Sequence, residues 1–428
     1  MPEIREATDA EKIAAVLAGK HGAIQVDYQL WKSNISGEKK YLIQSVENAE
    51  VNLSNYRDYT WEMSLTLAKD EGIDPFLDYV KPIMRVKTSY YETDDWIDFP
   101  LGLYRLVEPR GSDNPFYTTW ELTGQSLEAM LLDNMAATGY KAGASGVLLA
   151  VKNILLNADE SKGHQKIPAD RIAFEGEDVT LDSDMVFSPF QDAEKCYWLR
   201  ICNALLAAGG FYALYTDNEG RFKTKPIESP ADDPWAVTYL GNGDSGDDGE
   251  ELITEEIQWE YSREFYNKVT VYSSEATGGV PVVATASLVV TSPGDSGTNV
   301  YVVDPDNPYA YGPGTAVGKR YFTRPPESFE KIKDFSQAKK LAKALLRRSA
   351  SRQEKLTVVT VPDPRRGPRE DYWIRARQAD GGVIYHGFKE NEEAKKRGLD
   401  DRFRVVGWTL PLDGQSGMTH EVTRLLKG

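Results

Sequence analysis

The sequence predicts an α+β fold that is mainly β, with two β-rich segments flanking a small inserted α/β domain. Three observations carry this. Apolar residues fall at every second position through much of residues 24–125 and 253–428, and helical spacing is concentrated between residues 126 and 228. Asp334–Pro364 changes period halfway along, so a helix feeds directly into a strand. At 428 residues the chain exceeds one ordinary core and implies two or three domains.

Residues 1–23 read as an N-terminal helical arm centred on Ala10–Leu17. From residue 24 to 125 the period falls to two, at Ile24, Val26 and Tyr28, at Leu42 and Ile43, at Val51 and Leu53, and at Trp61, Met63, Leu65 and Leu67. Further runs at 83–88, 101–107 and 116–122 are separated by turn material such as Asp70-Glu-Gly72. So many short strands predict a barrel or a sandwich.

Residues 126–240 form the inserted α/β domain. Helical spacing covers Ser126–Met135, Val147–Leu156 and Asp192–Ala208, the last ending at Gly209-Gly210, where a left-handed cap forms without strain. A hairpin follows, with its turn at Asp217–Gly220. Residues 241–252 are too acidic and too rich in glycine to bury anything, so they read as a linker.

The second β-rich segment, 253–428, has strand runs at 253–261, 267–272, 280–290 and 298–303, then at 356–361, 372–377, 383–388, 403–410 and 418–425. Its one long excursion is the helix over 335–351. Asp334 and Gln337 have the form of a capping box, and Phe335, Ala338, Leu341, Ala342, Leu345 and Ser349 make one apolar stripe. Lys339, Lys340, Lys343, Arg347 and Arg348 lie mostly off that stripe. After Gln353 the β-branched run closes at Pro362-Asp-Pro364, where no ladder bond is donated.

Charge limits the partners. The net charge of −16 argues against gripping nucleic acid through its phosphates. Residues 319–404 carry 23 Lys and Arg against 13 Asp and Glu, a local +10 that leaves −26 on the remainder. A solvated helix face and a docking surface for an acidic partner both fit that basic segment. No run approaches the roughly 20 apolar residues of a membrane span, and the N-terminus has no apolar signal core. Cys196 and Cys202, six residues apart on the expected helix, point about 120° apart and read as buried thiols.

Fragments that imitate chemistry do not hold together. Gly243–Gly246 and Gly294–Gly297 both read Gly-Asp-Ser-Gly but lack the rest of a serine-protease motif, and no partner motif surrounds His21, His164, His386 or His420. Asp304-Pro-Asp-Asn-Pro308 has the spacing of a calcium loop without its central glycine, and Thr315 stands at its twelfth position. No phosphate loop, zinc-protease motif or paired-cysteine motif occurs. No catalytic, cofactor-binding or metal-binding residue is therefore assigned, and the chain reads as a non-enzyme.

Four segments, in this order, resemble the hub proteins at the tail tip or baseplate of long-tailed bacteriophages. They are Leu122-Thr-Gly-Gln-Ser126 leading into a helix; the helix, Gly-Gly and hairpin ending Tyr215-Thr-Asp-Asn-Glu-Gly-Arg221; Tyr266-Asn-Lys-Val-Thr-Val-Tyr272; and Ser336-Gln-Ala338 opening the helix that feeds the strand Leu356–Val361. The ending Leu410–His420 is similar too, and the likeness spans roughly residues 25–428. The resemblance implies two tail-tube-like β-barrel domains, at 24–125 and 253–428, and a homotrimer that presents six barrel-like units to a hexameric distal tail ring. It also implies a tape measure protein and tip or receptor-binding proteins as partners, DNA only in transit through an acidic lumen, and a place in the virion. Many relatives carry a further C-terminal region, and here the sequence ends shortly after the last hairpin, so lytic or receptor-binding activity is expected in another protein. The competing expectation, from 9 Trp and 23 Tyr that could stack on sugars, is a secreted or surface carbohydrate-active or carbohydrate-binding β-protein.

Overall fold

A computed structural model describes residues 26–54, 59–69, 71–87, 96–113, 118–143, 146–180, 185–190, 192–226, 239–240, 250–251, 258–261, 265–273, 282–294, 297–305, 307, 309–329, 335–350, 354–362, 373–374 and 403–424. The expected arm at 1–23, most of the linker at 241–252 and the expected strand at 383–388 lie outside these residues.

Eight strands come first: β1 (Val26–Ser33), β2 (Lys39–Ile43), β3 (Val46–Ser54), β4 (Trp61–Leu67), β5 (Tyr79–Lys87), β6 (Trp96–Pro100), β7 (Tyr104–Asp113) and β8 (Thr118–Ser126). A 3-10 helix, Leu127–Leu132, leads to β9 (Tyr140–Ala142), helix α1 (Val147–Leu156), β10 (Met185–Phe187), helix α2 (Trp198–Gly209), β11 (Tyr215–Thr216) and β12 (Phe222–Lys223). The short strands β13 (Tyr239–Leu240) and β14 (Glu250–Glu251) precede β15 (Gln258–Tyr261), β16 (Lys268–Ser273), β17 (Val283–Val289), β18 (Asn299–Val303) and β19 (Glu327–Phe329). Helix α3 (Phe335–Ala350) then feeds β20 (Glu354–Thr360), followed by β21 (Trp373–Ile374), β22 (Phe403–Pro411) and β23 (Met418–Arg424).

The mainly β, α+β reading holds, but the expected pair of barrels is corrected. Among the described residues no sheet closes on itself. The largest has 13 strands in the order β15-β20-β23-β22-β3-β4-β8-β7-β5-β1-β2, with β21 beside β22 and β6 beside β5. The cause is one antiparallel pairing, β22 with β3, running from Gly407↔Ser54 to Pro411↔Glu50. It makes the end of the chain an extension of the first β-rich segment, so both share one core that includes Val51, Trp61, Met63, Trp408, Met418 and Val422.

Helix α3 forms over the residues its stripe predicts, yet it does not cover the strand it feeds. It lies across a separate four-stranded sheet, β18-β17-β16-β19, where Ala338, Ala342, Leu345 and Leu346 meet Val269, Val271, Ala284, Ala286 and Leu288. Leu346, fully buried, belongs to the stripe beside Leu345.

A third core holds α1, α2 and the 3-10 helix. Gly146, preceding α1, has no side chain to cap it, and a Cβ there would fall 1.9 Å from the Asp178 carboxylate. That space lets Asp178 cap the helix from a distance, accepting from the Leu148 N–H at 2.8 Å and the Leu149 N–H at 3.1 Å. The expected helix at Ser126–Met135 is shorter and 3-10, because β8 continues through Ser126. The expected helix from Asp192 is interrupted at Tyr197, whose backbone is extended, so Cys196 sits in a preceding 3-10 turn and only Cys202 lies on α2. Both thiols are buried and unbridged. The left-handed cap forms at Gly210, with φ 80°.

Because α3 and the four-stranded sheet have a core of their own, Leu345→Asp should cost several kcal/mol through an unpaired buried charge. Amide hydrogen exchange should then rise in β16–β18 while β3 and β4 stay protected. Equal loss across both sheets would show that the two cores unfold together.

Candidate channel face

Successive side chains along a strand point to opposite faces, so the run that builds the core also dictates a second surface. Across β22, β3, β4 and β8, one face carries Leu53, Met63, Leu65, Leu122, Trp408 and Leu410 into the core. On the other face the register aligns Thr409, Asn52, Glu62 and Gln125 in one row, Glu50, Ser64 and Thr123 in a second, and Asn48, Thr66 and Glu121 in a third. All ten are exposed or half-buried. They comprise carboxylates, amides and hydroxyls, with no lysine or arginine.

The rows are tied together. Thr409 Oγ1 donates to Asn52 Oδ1 at 2.6 Å, and Asn52 Nδ2 donates to Glu50 Oε1 at 2.9 Å. The first row depends on Gly407, where a Cβ would meet the Leu53 carbonyl oxygen at 2.6 Å, so a side chain would push β22 off β3. At the β7 margin, Arg105 donates to Gln125 Oε1 at 3.1 Å and to Asp133 Oδ1 at 3.0 Å, and Asp133 takes up its charge. The ten positions themselves carry carboxylates, amides and hydroxyls without a cation, and the cations that border them on β7 are Arg105, opposite Gln125, and Arg110, opposite Glu121.

Two polar contacts fasten the α/β core to this sheet. Glu128, fully buried, accepts from the Thr60 N–H at 2.8 Å, from Thr60 Oγ1 at 2.6 Å and from Thr216 Oγ1 at 2.8 Å. Beside it the Trp61 indole donates to the Thr216 carbonyl at 2.8 Å, and the Trp61 N–H donates to Ser126 Oγ. Burial, reinforced by the charge of Glu128, holds the Tyr104 phenol well above its ordinary pKa. The second contact is the tip of the β11–β12 hairpin. Lys81, buried on β5, pairs with Glu219 at 3.0 Å, Arg171 donates to the Glu219 carbonyl, and the Gly102 N–H donates to the Asn218 carbonyl.

The residues that imitate chemistry in sequence stay apart. Gly243–Gly246, His21 and His386 lie outside the described residues. Gly294 and Gly297 have positive φ and lie in sequence between β17 and β18, which pair in parallel. Asp304 and Asn307 also close a turn, the Tyr309 N–H donating to Asn307 Oδ1 at 2.9 Å. Among the described residues no three of His, Cys, Asp and Glu are grouped to hold a metal. His164 and His420 are buried separately, each ring bonded to a local oxygen. Trp61 is fully buried and meets Trp408 edge to face, with centroids 5.2 Å apart, and so offers no platform for a sugar. Of the basic segment 319–404, residues 330–334, 351–353, 363–372 and 375–402 lie outside the description. The polar face was legible as the other half of the alternation in Val46–Ser54, Trp61–Leu67 and Thr118–Ser126, three stretches without a cation.

No protein-family model matches the chain, and no curated protein matches its sequence. Among solved structures, its fold is that of bacterial and prophage tail proteins. The tail protein from Neisseria meningitidis MC58 aligns with 93% of this chain and 96% of its own, at 12% identity and a TM-score of 0.56. The 43 kDa tail protein of prophage MuSo2 from Shewanella oneidensis aligns over 94% and 98%, at 12% identity and a TM-score of 0.55. At this identity the likeness is one of fold.

Glu128→Ala should destabilise the protein by about 3 kcal/mol, since it leaves the Thr60 N–H and two hydroxyls without their acceptor. Glu128→Gln should cost less, because a hydroxyl can rotate to accept from the new amide. Denaturant unfolding of the two variants checks the order, and equal losses would mean that the charge itself, rather than the acceptor, holds the junction.

Proposed function

We propose that this chain is a structural hub protein of a phage tail tip or baseplate, three copies forming a ring that continues or closes the tail tube and passes DNA during ejection. The observation that carries this reading is the cation-free polar face on the central strands of a sheet whose fold is shared with tail proteins. A wall that borders moving DNA works by offering hydration without a phosphate grip. The open sheet supports assembly as well. Its path ends at β15 and β2, and a strand edge is stable when a neighbouring copy pairs or covers it.

In this reading residues 24–125 and 253–428 supply the tube wall, residues 126–240 form the α/β unit fastened beside it, and residues 1–23 and 241–252 are the arm and the linker. The hub joins a hexameric distal tail ring to the tape measure protein and to tip or receptor-binding proteins, and its place is the virion. Its work is positional and calls for no catalysis. Among the described residues no helix is long and apolar enough to cross a membrane.

Mass measurement on the purified chain, alone and with its neighbouring ring, should give three copies, and end-on images should show a ring. A monomer under both conditions would overturn the reading. In assembled particles, the triple substitution Glu62→Lys, Ser64→Lys and Thr123→Lys should slow DNA release about tenfold at low salt, with recovery as salt is raised. Unchanged release would remove this face from the channel.

A further inference from the structure

The first row of the polar face does not stop at Gln125. On β7 the residue directly opposite Gln125 is Arg105, on the same side of the sheet, so the row that starts at Thr409 and runs through Asn52, Glu62 and Gln125 ends on a guanidinium. A guanidinium is a planar fork of donors that fits a phosphate with two parallel bonds. Left free, it would supply the cationic grip that the other four residues of the row lack.

The fork is already occupied. Both terminal nitrogens of Arg105 are on Asp133, Nη2 donating to Oδ1 at 3.0 Å and Nη1 to Oδ2. Nη2 also donates to Gln125 Oε1 at 3.1 Å, and Gln125 is turned for this by its amide nitrogen, which donates to the Tyr59 hydroxyl at 3.2 Å. Asp133 is placed by the α/β core. It closes the 3-10 helix Leu127–Leu132, its N–H donating to the Met130 carbonyl at 3.3 Å, and Glu128 of the same helix is fixed on Thr60 and Thr216. The two partners differ in exposure. The Arg105 side chain is 16% exposed and that of Asp133 is 52%, so an anion that reaches the end of the row meets the carboxylate first.

We infer that Asp133 is a positioning residue of the polar face: it fills the Arg105 fork and so keeps that guanidinium from the phosphates of passing DNA. The inference rests on the reading of this face as a wall beside DNA. It also separates the two arginines that border the face. Arg105 is held back by a bidentate carboxylate from the α/β core, whereas Arg110, exposed and opposite Glu121, lies further along β7 and provides the comparison.

Fluorescence anisotropy of a labelled DNA duplex titrated with the full chain tests this. Asp133→Asn keeps the backbone bond to Met130 and gives up the charge. It should raise affinity at low salt at least about threefold and steepen the dependence of log K on log salt by about 0.9, the signature of one added phosphate contact. Asp133→Glu should stay at wild-type values. Adding Arg105→Gln to Asp133→Asn should return both affinity and slope to wild type, and adding Arg110→Gln should leave the extra slope in place. A slope that Asp133→Asn leaves unchanged, whatever happens to Tm, would overturn the assignment, because a merely structural role moves stability and not counterion release. So would a gain that survives the loss of Arg105. Copy number keeps this apart from the hub reading: a chain that forms no ring yet shows the shift sinks the ring alone, and a ring of three copies whose DNA affinity ignores Asp133 sinks this assignment alone.

Discussion

The pairing of β22 with β3 is the contact on which the rest of the architecture depends. It joins backbone separated by some 350 residues, and closing so long a loop costs conformational entropy before any contact is gained. The return is concentrated at the seam. Trp408 packs edge to face on Trp61, Leu410 and Met418 enter the shared core, and Thr409 binds Asn52 on the opposite face. Without the seam, β15, β20, β22 and β23 would form a small sheet with an exposed apolar side, and β3 would become an edge. Gly407 is the local condition for it, because only a residue without a side chain lets the two backbones approach.

Once the seam is made, the sheet acquires two faces of different chemistry from a single alternation. The inward set is apolar and continuous across both ends of the chain. The outward set over the central strands is Glu, Asn, Gln, Ser and Thr, bordered on β7 by Arg105, which pairs with Asp133, and by Arg110, opposite Glu121. The α/β core is held against the sheet by polar contacts through Glu128 and the hairpin tip, beside apolar packing of Tyr79 and Leu103. Buried polar contacts of this kind depend on geometry, so they set the orientation of the unit more sharply than an apolar contact of equal area does.

Much of this was legible in the sequence. The stripe Ala338, Ala342 and Leu345 announced α3, Val147–Leu156 announced α1, and Gly209-Gly210 announced the left-handed end of α2, because each signal is local. The 3-10 form of Leu127–Leu132 and the break at Tyr197 were not, since apolar spacing does not distinguish a short 3-10 turn from an α-helix. Strand β6 was missed between longer runs. The seam was hidden for a deeper reason: Phe403–Leu410 and Val51–Leu53 each read as half-buried strands, and nothing in either names its neighbour. Two barrels and one open sheet have the same local pattern. The candidate face suffered likewise, because attention to apolar positions passes over the residues between them, where the absence of lysine and arginine was the usable signal.

The distribution of charge gives the last step. Glu128 spends its carboxylate on Thr60 and Thr216, Lys81 is matched by Glu219, Asp78 by Lys32 and Lys40, and Arg105 by Asp133. Each of these strong groups joins one element to another and so is committed to holding shape. The central outward face keeps weaker, well-hydrated groups in register across four strands. The rigidity behind this face comes from charges already paired. Strength in the joints and weakly charged, well-hydrated groups on the open face is the arrangement that the proposed hub would use.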